Sequence, residues 1–78
     1  MKTLLIRLKT IDDIRRFVDT TNLYRSNVEL VVDNYTVDGK SIMGIFSLDL
    51  KKTVTCVIDG DDCAELCEAL APLEEKQA

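Results

Sequence analysis

Leu4, Ile6 and Leu8 alternate with Thr3, Leu5, Arg7 and Lys9, the period of a strand that buries one face. At Thr10 the period changes. Thr10 and Asp13 form a capping-box-like pair ahead of Ile11, Ile14, Phe17, Val18 and Thr21, which share one face of a helix. Arg15, Arg16 and Asp19 fall on its wet side. Val28, Leu30 and Val32 mark a second strand with Glu29 and Asp33 facing out. Asp33-Asn34 is turn chemistry, so Tyr35-Thr36-Val37 returns as the second arm of a hairpin. After Asp38-Gly39-Lys40 comes a short helix headed by Ser41. Val54, Cys56 and Ile58 then alternate as a fourth strand. Asp59-Gly60 turns, Asp62 and Glu65 cap a last helix at its N-terminus, and Pro72 interrupts that helix.

The short helix is apolar almost all the way round. Ile42, Met43, Ile45, Phe46, Leu48 and Leu50 leave only Gly44, Ser47 and Asp49 for water, whereas a surface helix normally shows one apolar stripe. On a helical wheel Ile45 and Leu48 fall on one side and Met43 and Leu50 on another, with Ile42 and Phe46 between. Closing one side over a sheet leaves Met43 and Phe46 partly exposed, as a contact surface. Met43 and Phe46 are therefore the expected apolar anchors of that surface.

Strand, helix, strand, strand, helix, strand, helix (βαββαβα) is a split βαβ order. Half-buried strands of this kind suit an antiparallel or mixed sheet with helices on one side, an α+β fold. Seventy-eight residues make a single domain over residues 1–78, 46% hydrophobic and 31% charged, globular rather than disordered. A net charge of −4 argues against sequence-independent nucleic-acid binding, which depends on neutralising phosphates. No apolar stretch approaches a membrane span, and MKTLLIRLKT, broken by Arg7 and Lys9, reads as a strand and not a signal peptide. Three cysteines, an odd number without an export signal, imply reduced thiols in a cytoplasm.

Candidate chemistry is thin. Cys63 and Cys67 share a helical face at a spacing that offers half a metal site, but there is no histidine and Cys56 is the only other thiol. They read as small buried hydrophobes, and no metal or cofactor is expected. Asp59, Asp61, Asp62 and Glu65 lack the spacing of a calcium loop. A nucleophile–histidine pair is impossible and no glycine-rich phosphate loop occurs, so no catalytic residue is expected.

KSIMGIFSL, residues 40 to 48, resembles the serine-site helix of the HPr family, small phosphocarriers of the bacterial sugar phosphotransferase system. TCVIDGDDCAELCEAL resembles the family's last strand, glycine-acidic turn and final helix, and the order of elements agrees along the chain. The resemblance implies an open-faced β-sandwich, a four-stranded antiparallel sheet in order 1-4-2-3 with three helices on one face. It also implies protein partners, including a serine kinase of the phosphotransferase system and a transcriptional regulator, met through Lys40, Ser41, Ile42, Met43 and Phe46. An unrelated ferredoxin-like small-molecule-binding domain, the competing reading, would show order 4-1-3-2.

The resemblance fails where the family carries its phosphate. Counting back from Ser41 places Thr10 at the histidine position, a degenerate phosphocarrier site followed by Asp12 and Asp13 in place of arginine and proline. Asp49, Gly39 and Lys51-Lys52-Thr53 are further departures. Ser41 has two compatible roles: an N-cap worth about 1 kcal/mol, and, by the resemblance, a regulatory phosphorylation site. A phosphate there would meet the positive end of the helix dipole. The catabolite-repression branch of the family also keeps the serine and lacks the histidine. A regulatory protein and a constitutive interaction module, with neither phosphorylation site functional, both remain open.

Overall fold

A computed structural model describes residues 1–48 and 51–75; Asp49 and Leu50, expected on the Ser41 helix, lie outside them. The elements are β1 (Lys2–Ile6), α1 (Ile11–Thr21), β2 (Asn27–Val32), β3 (Tyr35–Asp38), α2 (Ile42–Phe46), β4 (Val54–Asp59) and α3 (Cys63–Leu70). A 3-10 turn, Ala71–Leu73, follows α3, because Pro72 cannot continue the helical hydrogen bonds. The four strands form one antiparallel sheet in the order β1-β4-β2-β3, which excludes the ferredoxin-like order.

Alternation decides which side of the sheet is dry. Leu4 and Leu30 flank Cys56 in register, and Ile6 sits opposite Val54, so the inward residues of β1, β4 and β2 make one apolar layer. Ile14 and Phe17 of α1, Ile45 of α2, and Leu66 and Leu70 of α3 close over it. The other face stays uncovered and carries Leu5, Val31 and Val57 among threonines. The β2–β3 turn places Asp33 at φ 53, a left-handed conformation that aspartate tolerates better than most residues. At the far edge, residues 73–75 strap β1: Arg7 N–H donates to the Leu73 carbonyl and Glu75 N–H to that of Leu5.

Four expectations change. Ile11 is not core but 63% exposed, and it lines an open groove together with the buried Leu8, which lies past the end of β1. Gly44 does not face water: a Cβ placed there would touch Val37 of β3. Cys63 and Cys67 are only half-buried at the rim of the core. Cys56 is fully buried, and burial, with Cys67 nearby, pushes its thiol up to about 12. Burial also raises the Cys67 thiol, with Cys63 beside it.

Asp62 is the clearest correction. It stands at the N-cap position of α3, yet its side chain makes no capping bond. Its carboxylate instead accepts from the N–H groups of Arg25 (2.8 Å) and Ser26 (3.0 Å) and from the Ser26 hydroxyl. Three donors on the α1–β2 connection outbid the helix's own N–H groups, and the non-extended backbone at Asp62 (ψ 23) turns the carboxylate toward them. The Ser26 hydroxyl, then the Arg25 N–H, hold this carboxyl below its ordinary 3.8.

A carboxyl lowered by folding stabilises the fold above its unfolded pKa and loses that contribution as pH falls through the folded value. Asp62→Asn should therefore flatten the acid limb of stability: urea midpoints at about pH 7 and about pH 2 should differ less for the variant than for the parent. An equal drop in both would deny Asp62 this role.

Candidate functional site

The Ser41 helix is placed by its approach, residues 38 to 40. Gly39 is buried, and a Cβ there would run into the side chain of Val28, so only glycine lets the chain pass this close to β2. Gly39 N–H donates to the Val28 carbonyl (2.8 Å), and the buried Thr21 hydroxyl donates to the Gly39 carbonyl (3.1 Å). Lys40 is tied on three sides. Its N–H donates to Asp38 Oδ1 (2.9 Å), its carbonyl accepts from Asn22 Nδ2 (3.1 Å), and its ammonium donates to the Tyr24 carbonyl (2.7 Å). The ammonium thus folds back on the α1–β2 connection.

Ser41, in extended backbone, caps α2 by accepting from the Gly44 N–H (3.2 Å). Ile45 and Leu48 are buried and lay the helix on the core. Gly44 turns to the sheet and Ile42 is half-buried, so the outward side is left to Met43, 77% exposed, and Phe46, 48% exposed. The structure brings Lys40, Ser41, Ile42, Met43 and Phe46 onto one short segment but gives them unequal surfaces.

Thr10 lies at the head of α1. Its hydroxyl accepts from Asp13 N–H (3.1 Å), while the Asp13 carboxylate accepts from the N–H groups of Lys9 (3.0 Å) and Thr10 (3.3 Å). Both partners of the capping box are present, so the hydroxyl's acceptor capacity is used within the helix end. Thr10 and Phe46 line the same open groove, about 620 Å³, with Ile11 and Ile14 of α1 and Leu48 beyond α2. Sequence reasoning missed this groove. It put Ile11 in the core and had no signal that Arg7 and Leu8, past β1, would reach the end of α2.

Among the described residues, no group of three or more histidine, cysteine or carboxylate side chains is placed to hold a metal ion, and no helix is long and apolar enough to cross a membrane.

The fold and this segment define a class: an open-faced antiparallel sheet in the order 1-4-2-3, covered on one side by three helices, the middle one short and serine-capped. Comparison with known proteins agrees. Residues 14–76 match the family model described as "PTS HPr component phosphorylation site", a span that begins after Thr10. The HPr-like protein Crh of Halalkalibacterium halodurans is 36% identical over 63 residues, covering 78% of this chain and 75% of that one. The crystal structure of HPr-C-His from Thermoanaerobacter tengcongensis superposes with a TM-score of 0.82 at 34% identity, covering 94% of this chain and 90% of its own. The catabolite-repression protein Crh of Bacillus subtilis, solved as an intertwined, domain-swapped dimer, superposes with a TM-score of 0.70 at 35% identity, covering 90% and 82%. The chain belongs to the HPr family of phosphotransferase-system proteins.

Exposure separates the two apolar classes on α2 and its flank. Met43→Lys removes little packing and should shift stability by less than about 1 kcal/mol. Leu48→Lys buries an unpaired charge and should cost several times more, enough to unfold a domain this small. Thermal melts of both variants check this; equal damage would make Met43 a core residue.

Proposed function

We propose that the 78 residues act as one HPr-like domain in the cytoplasm, a non-catalytic protein that works by recognising protein partners through the Ser41 helix. The exposure of Met43, 77% on a helix that Ile45 anchors in the core, is the observation that carries this reading. Methionine adapts in shape and suits a surface that must be covered and uncovered. With Phe46 it offers an apolar anchor pair, beside Ile42 and the aliphatic part of Lys40.

Histidine phosphocarrier activity is absent in this reading, since a threonine phosphate ester is far less reactive than a histidine phosphoramidate. Asp12 and Asp13, in the first turn of α1, add negative charge where a phosphoryl group would arrive. Regulation through Ser41 is supported by chemistry and family together. The hydroxyl is only partly buried, accepts from Gly44 N–H, and sits in the segment that resembles the family's serine site. A serine kinase of the phosphotransferase system and a transcriptional regulator are the partners this reading names. The likeness to two Crh proteins favours it over a constitutive module.

Two incubations test it. With phosphoenolpyruvate and the general phosphotransferase enzyme, the protein should acquire no acid-labile phosphate. With ATP and the family's serine kinase, it should gain one acid-stable phosphate, placed on Ser41 by mass spectrometry and lost in Ser41→Ala. Acid-labile phosphate in the first incubation overturns the dead-carrier reading; no phosphate in the second leaves the constitutive module.

A further inference from the structure

Recognition through α2 makes no use of the thiols. By pattern Cys63 and Cys67 are small buried hydrophobes, and the structure removes the ground for that reading. Both are half-buried at the rim of the core, while Leu66 and Leu70 of the same helix are sealed inside it. Both lie within α3, four residues apart, so their side chains leave the helix one above the other on one face. Cβ atoms at this spacing are about 5–6 Å apart, wider than the roughly 3.5–4.5 Å that a disulfide spans. The helix therefore holds the two thiols short of bonding to each other. Two metal–sulfur bonds of about 2.3 Å each bridge such a gap.

The surroundings narrow the choice of ion. Burial, and then Cys63 beside it, raise the Cys67 thiol; the Lys2 ammonium acts the other way and favours the thiolate, with Glu74 opposing it. Cys56, within electrostatic reach of Cys67, is fully buried on β4 and closed to solvent. Zinc in a structural site takes four ligands. The chain has no histidine, and among the described residues no group of three or more candidate ligands is in place. Monovalent copper prefers soft thiolates and is satisfied by two of them in line.

We infer that Cys63 and Cys67 form a two-sulfur clamp for a soft monovalent metal ion, of which Cu(I) is the biological example. On binding, each thiol releases its proton to solvent and each sulfur forms one bond to the ion. The complex carries one negative charge, within reach of the Lys2 ammonium, and no electron is transferred. The clamp lies on α3 and is independent of the Ser41 helix and its partners.

The probe is Cu(I), presented as its coloured bicinchoninate complex to reduced protein without oxygen. The protein should withdraw one ion per chain, with no change in its mass by light scattering. In the parent, the 13Cβ resonances of Cys63 and Cys67 should move on loading and that of Cys56 should stay, a readout that needs no variant. Cys63→Ser and Cys67→Ser should each weaken the withdrawal by about a hundredfold or more, since even the outer partners of a metal are worth about 10–100-fold. Cys56→Ala should leave it as in the parent. No withdrawal of copper, withdrawal untouched by either serine variant, or movement of the Cys56 resonance alone overturns the inference. So does one ion per two chains with a doubled mass, which puts the site between molecules. Displacement of Cu(I) by Zn(II) at equal concentration overturns it too, by denying the preference for soft ions.

Discussion

The close approach of Gly39 to Val28 sets where the Ser41 helix begins. A hydrogen bond to the Val28 carbonyl holds Gly39 to β2, and the Thr21 hydroxyl holds its own carbonyl to the end of α1. With the backbone fixed there, Lys40 reaches Tyr24, Ser41 is in extended conformation to cap α2, and Ile45 drops into the core. A five-residue helix has little stability of its own. Its place on the surface is inherited from these tethers and from the burial of Ile45 and Leu48.

The same connection between α1 and β2 is held from the other side by Asp62. Residues 21 to 28 thus join the approach to α2 with the start of α3, and one loop supports two helix starts. This explains why Asp62 leaves its own helix uncapped: the carboxylate forms three bonds across the fold in place of one at home. At the opposite end of α1 the polar groups are satisfied locally, by Thr10 and Asp13. Where a relay would need a reactive, unengaged group, the chain has a finished helix end. Met43 stands exposed on one flank of α2, and Ile11 and Phe46 line the groove on the other.

Most of the fold is legible in the sequence because its strands and helices keep their periods cleanly, from Val28-Leu30-Val32 to Val54-Cys56-Ile58. The Thr10–Asp13 box and the Ser41 cap were equally legible, since both are local. The misreadings are tertiary. Ile11 fits the inward face of α1 by spacing, yet it stands 63% exposed at the rim of a groove that the buried Leu8 also lines. Gly44 looks wet on a helical wheel because the wheel knows nothing of Val37. Asp62 finds its donors 36 and 37 residues away, a distance at which pattern carries no signal. Exposure of Met43 followed from the excess of apolar residues on α2; the groove did not, because its walls come from three separate elements.

Site-specific photocrosslinking in the living cell tests the central claim, recognition through α2, most directly. Benzoylphenylalanine is placed at Met43, at Phe46 and, as the control, at Leu5 on the uncovered sheet face, 39% exposed. Irradiation should yield the same discrete protein adducts from positions 43 and 46 and none of them from position 5. Adducts absent at 43 and 46, or equally abundant at 5, would contradict it.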